Sequence, residues 1–271
     1  MKWTVLGAGG FIGSHLVDYL RSQRFDVVSA NREFDFSGDE NLGHVIYCIG
    51  LTADFRNRPL DTVEAHVCVL RSLLQRGNFE SLLYLSSTRV YANSQSTGEA
   101  SSLVVQPQQL SDIYNLSKLL GESMCLTVGG SSVRVARLSN VIGVSRLSTD
   151  FLGQITQQAV TEKRVRLETS LQSQKDFLFM DDLMPVLSQI AITGQSRIYN
   201  VASGRNTTNA EIVDILVRET GSVISVAPNA PTWSFPPIDI TRISQEFGFK
   251  SGLFEVRFSN IIAEIQDSLP E

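Results

Sequence analysis

The stretch Gly7-Ala8-Gly9-Gly10-Phe11-Ile12-Gly13, directly behind the apolar run Trp3-Thr4-Val5-Leu6, constrains the fold more than any other part of the chain. The run is short, apolar and ends at glycine, which reads as a buried strand. Beyond the glycines, Ile12, Leu16 and Leu20 fall on one helical face with Val17 beside them. Strand, glycine turn and helix, in that order, form the setting in which a glycine fingerprint binds a dinucleotide pyrophosphate. Gly7 allows a tight turn, Gly10 lets the backbone approach the phosphates, and Gly13 lets the helix lie close to the sheet. The helix N-terminus offers unpaired N–H groups to an anion. The spacing is G-x-x-G-x-x-G rather than the general G-x-G-x-x-G.

The chain has 271 residues, enough for one large domain or a domain with a smaller lobe. With 42% hydrophobic and 19% charged residues, a sizeable buried core is expected and disorder is not. A net charge of −5, with no run of Lys and Arg, argues against a nucleic-acid partner. Cys48, Cys68 and Cys125 are scattered in apolar contexts and read as buried small hydrophobes in a reducing compartment. His15, His44 and His66 show no metal-ligand spacing, so no metal is expected. No apolar stretch approaches the ~20 residues of a membrane span. The first residues run straight into a strand without signal-peptide features, so a cytoplasmic protein is expected.

Strands and helices alternate through the first half. Phe25–Ala30 reads as a second strand, Phe34–Phe36 as a very short third, and Val45–Gly50 as a buried strand of the parallel-sheet kind. The polar loop 51–59 follows at its carboxyl end, where ligands bind in open α/β sheets. Asp61–Arg76 is a helix closed by Gly77. Strands at Ser81–Leu85 and Val133–Leu138 flank a helix at Asp112–Leu126. This is the pattern of a doubly wound parallel sheet. The second half is less regular. Helices are expected at Phe151–Glu162, Asp182–Ile192 with Pro185 in its first turn, Thr208–Thr220, Ile243–Phe247 and Ser259–Ser268. Strands are expected at Arg164–Leu167 and Ile198–Val201, and Lys175–Asp182 runs strand into helix. Thr208 with Glu211 has the capping-box pattern.

At the end of the second strand, NAD-binding folds place an acid that accepts hydrogen bonds from the adenosine ribose. Here Asn31 and Arg32 stand there. An acid would repel a 2′-phosphate, whereas arginine pairs with it, so the site leans to NADP, with NAD as the alternative. Tyr114-Asn115-Leu116-Ser117-Lys118 puts a phenol and an ammonium on one helix face, a turn apart. A neighbouring ammonium favours the phenolate and lowers a tyrosine pKa from about 10. Such a tyrosine is a general acid or base for a sugar or alcohol oxygen. Ser87, just past a strand end, can hydrogen-bond the same oxygen.

In these stretches the sequence resembles the extended short-chain dehydrogenase/reductases, in particular the NAD(P)-dependent nucleotide-sugar epimerase/dehydratase/reductase group. The matching segments are Gly7–Leu16, Ser86–Tyr91, Tyr114–Glu122, Arg137–Gly143, Lys175–Asp182 and Tyr199–Gly204. The resemblance implies a Rossmann-like doubly wound parallel sheet with a smaller C-terminal α/β substrate lobe. Residues 1–140, with about 176–202 returning, would bind the dinucleotide; 141–175 and 203–271 would form the lobe. It implies a catalytic set of Ser87, Tyr114 and Lys118, with Lys118 also holding the nicotinamide ribose. Gly7, Gly10, Phe11, Ile12, Gly13, Ile49, Gly50, Leu51 and Ser139 would line the cofactor. Thr88, Arg89, Asn140, Arg205 and Arg242 are candidate substrate contacts. A homodimer would form through a four-helix bundle of Asp61–Arg76 and Asp112–Leu126. Thr88-Arg89 stands where dehydratases of the group carry Asp-Glu, which argues against a 4,6-dehydratase. The expected activity is an NADPH-dependent 4-keto-sugar reductase; the alternatives are an NAD-dependent nucleotide-sugar epimerase and a non-catalytic cofactor-sensing relative.

Overall fold

A computed structural model describes residues 1–31, 34–35, 38, 40–52, 54–143 and 151–268. In chain order the first half runs β1 (Lys2–Leu6), α1 (Phe11–Ser22), β2 (Asp26–Ala30), β3 (His44–Tyr47), α2 (Pro59–Val63), a π-helical segment (Glu64–Cys68), α3 (Val69–Arg76), β4 (Ser81–Ser87), a 3-10 turn (Thr88–Tyr91), α4 (Asp112–Val128) and β5 (Val133–Leu138). The second half runs β6 (Asn140–Ile142), α5 (Phe151–Thr161), β7 (Arg164–Leu167), β8 (Gln174–Phe179), α6 (Met180–Thr193), β9 (Ile198–Val201), β10 (Asn206–Thr208), α7 (Asn209–Thr220), β11 (Val223–Val226), α8 (Thr241–Phe247) and α9 (Phe254–Asp267).

Six strands form one parallel sheet in the order β2-β1-β3-β4-β5-β9, so the fold is the expected Rossmann-like one. The strands are apolar on both faces because both are covered. One face packs Leu16, Val17 and Leu20 of α1 and Leu183, Leu187 and Ile190 of α6; the other packs Leu70 and Leu73 of α3 and Cys125 of α4. All six strands point the same way, so the segments after Leu6, Tyr47, Ser87 and Leu138 emerge along one edge. A separate apolar cluster joins α5, α7 and α9 to β7 and to Phe177 and Phe179 of β8. There β6 and β8 pair in parallel, β10 pairs antiparallel to β8, and β11 pairs with β7. Ile243 of α8 and Phe249 pack instead on the core of the six-stranded sheet.

A buried ion pair ties the second layer to the sheet. Arg137 Nη2 on β5 donates to Glu122 Oε2 on α4 at 2.6 Å, with side chains 4% and 3% exposed. Ser86 of β4 donates to the same carboxylate, and Arg137 Nη1 donates to the Tyr91 hydroxyl at 2.6 Å. Tyr91 in turn donates to Asn200 Oδ1 of β9 at 2.9 Å.

Four expectations change. Phe34 and Asp35 form no strand: β2 is the sheet edge, and Phe34 packs inward against the core instead. The helix at 61–76 is interrupted by a π turn, because the Tyr47 and Tyr84 hydroxyls reach in from β3 and β4 to the carbonyls of Ala65 and His66, at 2.6 and 3.2 Å. Helix α6 begins at Met180, so Pro185 lies beyond its first turn. Cys68 is exposed rather than buried. The capping box at Thr208 forms as expected: its hydroxyl accepts from Glu211 N–H at 3.1 Å, and Glu211 accepts from Thr208 N–H at 2.8 Å.

The glycine turn is sterically most exacting at Gly13. A Cβ on Gly13 would stand 2.2 Å from the Gly7 carbonyl oxygen, whereas one on Gly9 would meet nothing within 4 Å. Gly13→Ala is expected to destabilise the fold by about 1–3 kcal/mol through overpacking, and Gly9→Ala by much less. Urea denaturation of the two variants checks this; equal midpoints would contradict it.

Candidate active site

The glycine turn opens the site. Gly7 has φ +84°, where a side chain is strained, and its Cβ position abuts the Cys48–Ile49 backbone at 3.0 Å. Strand β1 therefore delivers the chain against the end of β3. Gly10 N–H donates to the Gly7 carbonyl at 2.9 Å and is the residue before α1. Gly9 and Gly10 are exposed, and Phe11 and Ile12 form the first turn of α1, whose N–H groups lack helical acceptors. No acidic side chain stands in that turn. The tight turn, the bare backbone and the helix N-terminus fit a pyrophosphate.

Helix α4 presents Tyr114 and Lys118 to the same edge, and β4 delivers Ser87. Both α4 side chains are 4% exposed. The Tyr114 hydroxyl lies near the side-chain hydroxyls of Ser87 and Thr52. Its ring packs on Phe55 with centroids 5.1 Å apart and edge-on to His66 at 5.2 Å. Burial pushes the Tyr114 hydroxyl above its ordinary value, while Ser87, Thr52 and the Arg89 charge pull it down. The sequence assigned that downward pull to Lys118. The structure turns Lys118 elsewhere: its Nζ donates to the Leu85 carbonyl at 2.8 Å and lies 5.0 Å from the Tyr84 ring centroid. Burial lowers Lys118 to about 7, against the opposing pull of Glu122 one turn further along α4.

His66 joins three parts of the site, and its spacing in the sequence gave no sign of this. It is fully buried in the π turn. Its Nδ1 is 2.8 Å from Ser117 Oγ, which donates to the Tyr114 carbonyl at 2.9 Å. Its Nε2 accepts from Leu51 N–H at 3.4 Å, which assigns the ring proton to Nδ1. Burial holds the imidazole neutral, with a pKa lowered to about 2. The strand end at Ile49-Gly50-Leu51 thus rests on His66 and Lys118: a Cβ at Gly50 would lie 3.4 Å from His66 Nε2 and 3.5 Å from Lys118 Nζ. Thr52 and Phe55 also went unread; their one signal was a position in the polar loop past a strand end.

The remaining sequence candidates divide. Thr88 is buried beside Ser87, and Arg89 lies 6.0 Å from the Tyr114 ring centroid. Ser139 N–H donates to the Val201 carbonyl at 3.1 Å, and Asn140 Nδ2 to the Asp176 carbonyl at 2.8 Å, so both sit past the ends of β5 and β9. Arg205 pairs with Glu211 at the start of α7. Arg242 donates to the Ile198 carbonyl at 2.6 Å and lines a cavity of about 680 Å³ with Glu99, Asp239 and Glu246. Neither arginine is brought to Tyr114. Asn31 is exposed after β2, and Arg32 lies outside the described residues.

Lys118 makes stability depend on pH. Its ordinary value is 10.5 and its folded value about 7. Below pH 7 both states hold the proton and the fold bears the cost of a buried ammonium. Between the two values the unfolded chain holds a proton that the folded chain has released, so this group adds stability as pH rises. Lys118→Met is expected to melt above the parent at pH 6, with the gap narrowing through pH 9 and closing only above the ordinary lysine value of 10.5. Thermal melts of the cofactor-free proteins check it; a gap that does not change with pH would contradict it.

A model of the NAD dependent epimerase/dehydratase family matches residues 3–202. A dTDP-glucose 4,6-dehydratase of Streptomyces griseus is 26% identical over 182 residues, which are 64% of this chain and 55% of that relative. The chain therefore spans little more than half of that curated relative. Among solved structures, RMD from Pseudomonas aeruginosa complexed with NADPH superposes with a TM-score of 0.82 at 23% identity, covering 99% of each chain. UDP-glucose 4-epimerase from Thermotoga maritima with UDP-glucose gives 0.80 at 17% identity, covering 100% of each. These two are alike in fold. With the family model running from β1 to the residue after β9, this chain belongs to the NAD dependent epimerase/dehydratase family.

Proposed function

We propose that the chain is an NAD(P)-dependent oxidoreductase that reduces the keto group of a nucleotide-activated sugar, with NADPH as reductant. The observation that carries the direction is the state of Tyr114. Burial keeps its hydroxyl protonated, the state in which a general acid delivers a proton to a carbonyl oxygen becoming an alcohol. The nicotinamide supplies the hydride. Ser87, beside Tyr114, holds the same substrate oxygen and orients the transfer. Lys118, against the strand end at Gly50, holds the nicotinamide ribose. Residues 1–140 and 176–202 serve the cofactor; 141–175 and 203–271 serve the substrate. The preference for NADPH rests on Arg32, whose guanidinium is suited to pair with a 2′-phosphate.

A second reading, an NAD-dependent epimerase, draws on the three groups that favour a Tyr114 phenolate: Ser87, Thr52 and Arg89. A phenolate is the base its oxidising half needs. Retention of tightly bound NAD through purification separates the two.

Tyr114→Phe is expected to lower the turnover of a 4-keto nucleotide sugar by roughly 10²–10⁴-fold and to leave NADPH binding in place. Assays with NADPH and NADH check this, and full activity in the variant would overturn the catalytic assignment. A homodimer is proposed through α2–α4, where Leu60, Leu120 and Val128 are 82%, 51% and 65% exposed. Sedimentation equilibrium is expected to give two chains, and Leu120→Glu to give one; a monomeric parent would refute the dimer.

A further inference from the structure

Among the described residues, Arg56, Arg89 and Lys175 stand together near Tyr114 as three cations. Arg89 Cζ lies 5.4 Å from the Phe55 ring centroid, and Arg56 Cζ lies 4.5 Å from the same ring. The two guanidinium groups repel, and half-buried Lys175 also feels the Arg89 charge. Among the described residues, none of the three makes an ion pair, and Arg89 Nε is buried without a hydrogen-bond partner. The carboxylate whose field reaches Arg89 is Asp112, and it is engaged already. Its oxygens accept from Gln106 N–H at 2.8 Å and from Asn115 Nδ2 at 3.0 Å. The chain as a whole is acidic, with a net charge of −5, so this surplus of positive charge is local.

Ring faces offset part of the cost of a half-buried guanidinium, but among like charges the remainder stands unless an anion meets it. The planar fork of an arginine matches a carboxylate best, by two parallel hydrogen bonds. Position identifies which part of the substrate would carry that carboxylate. Arg89 faces the Tyr114 ring, and the Tyr114 hydroxyl marks the reacting carbon. The diphosphate of a nucleotide sugar is attached across the sugar ring from a carbon at position 4. We propose that Arg89 binds a carboxylate carried by the sugar itself, so that the substrate is a nucleotide-linked uronic acid rather than a neutral hexose. The inference rests on the reading of this cleft as a nucleotide-sugar site.

The test is calorimetric titration of the parent, Arg89→Gln and Arg89→Lys, each saturated with NADPH. The ligands are glucuronic acid and glucose linked to UDP, dTDP and GDP, together with the three bare diphosphates. In at least one nucleotide series the uronate is expected to bind about tenfold tighter than the hexose or better. Arg89→Gln erases that gap and leaves the hexose and bare diphosphate affinities in place; Arg89→Lys keeps the charge without the fork and retains part of the gap. No preference for uronates in any series overturns the proposal. So does an Arg89→Gln variant weakened equally towards uronate, hexose and bare diphosphate, since Arg89 would then serve the diphosphate. If the NADPH-loaded parent binds no nucleotide sugar of either kind, the underlying reading fails with it. Unchanged NADPH affinity in both variants shows that they are folded.

Discussion

The contact between Glu122 and Arg137 holds the site's two halves in register. Each ion is almost fully removed from water, and each would be very costly there alone. Together they are satisfied. Arg137 reaches the carboxylate through Nε and Nη2 and spends Nη1 on Tyr91; Ser86 donates to Glu122. The network continues through Asn200, which donates to the carbonyls of Thr97 at 2.7 Å and Asp239 at 2.9 Å. Thus α4 is fixed to β4, β5 and β9 at one depth. Lys118 sits one turn before Glu122 and Tyr114 one turn before that, so the depth of the ion pair sets the depth of the chemistry. Loss of either partner would leave a buried charge, an effect of about 3–5 kcal/mol.

Burial has opposite consequences for the two groups that α4 presents. It disfavours the charged form in each, which makes Tyr114 a weaker acid than free tyrosine and Lys118 a stronger acid than free lysine. A tyrosine and a lysine a turn apart would suggest mutual stabilisation of phenolate and ammonium. The fold separates their tasks instead. Lys118 is held by a backbone carbonyl and faces the strand end, whereas Tyr114 is surrounded by two hydroxyls and, further off, a guanidinium.

Whatever depends on near neighbours in the chain was legible. The glycine turn, the Thr208–Glu211 cap, the strands at 133–138, 164–167 and 198–201 and the order of strand and helix follow from periodicity and backbone sterics. What depends on partners far along the chain was not. The π turn exists because hydroxyls from β3 and β4 reach its carbonyls, and no local pattern carries that information. The three-residue strands β6 and β10 owe their existence to β8 rather than to their own sequences. In the site, Ser87, Tyr114 and Lys118 were visible as motif members. His66, Thr52 and Phe55 were not, because a histidine in a helix and a threonine in a loop acquire meaning only from what packs on them.

The π turn at Glu64–Cys68 has the arithmetic of a single inserted residue. One residue of an α-helix advances the chain by about 100°. Everything downstream is therefore rotated by that angle relative to a regular helix. With the extra residue, Leu70 and Leu73 point into the core and are fully buried. Without it, the same leucines would turn away from the sheet, and the carbonyls now taken by tyrosine hydroxyls would close back into the helix. A chain length changed by one is thus coupled to the pairing of two tyrosines and the placing of His66. A deletion in this helix could be accommodated only by a coordinated change in β3 and β4.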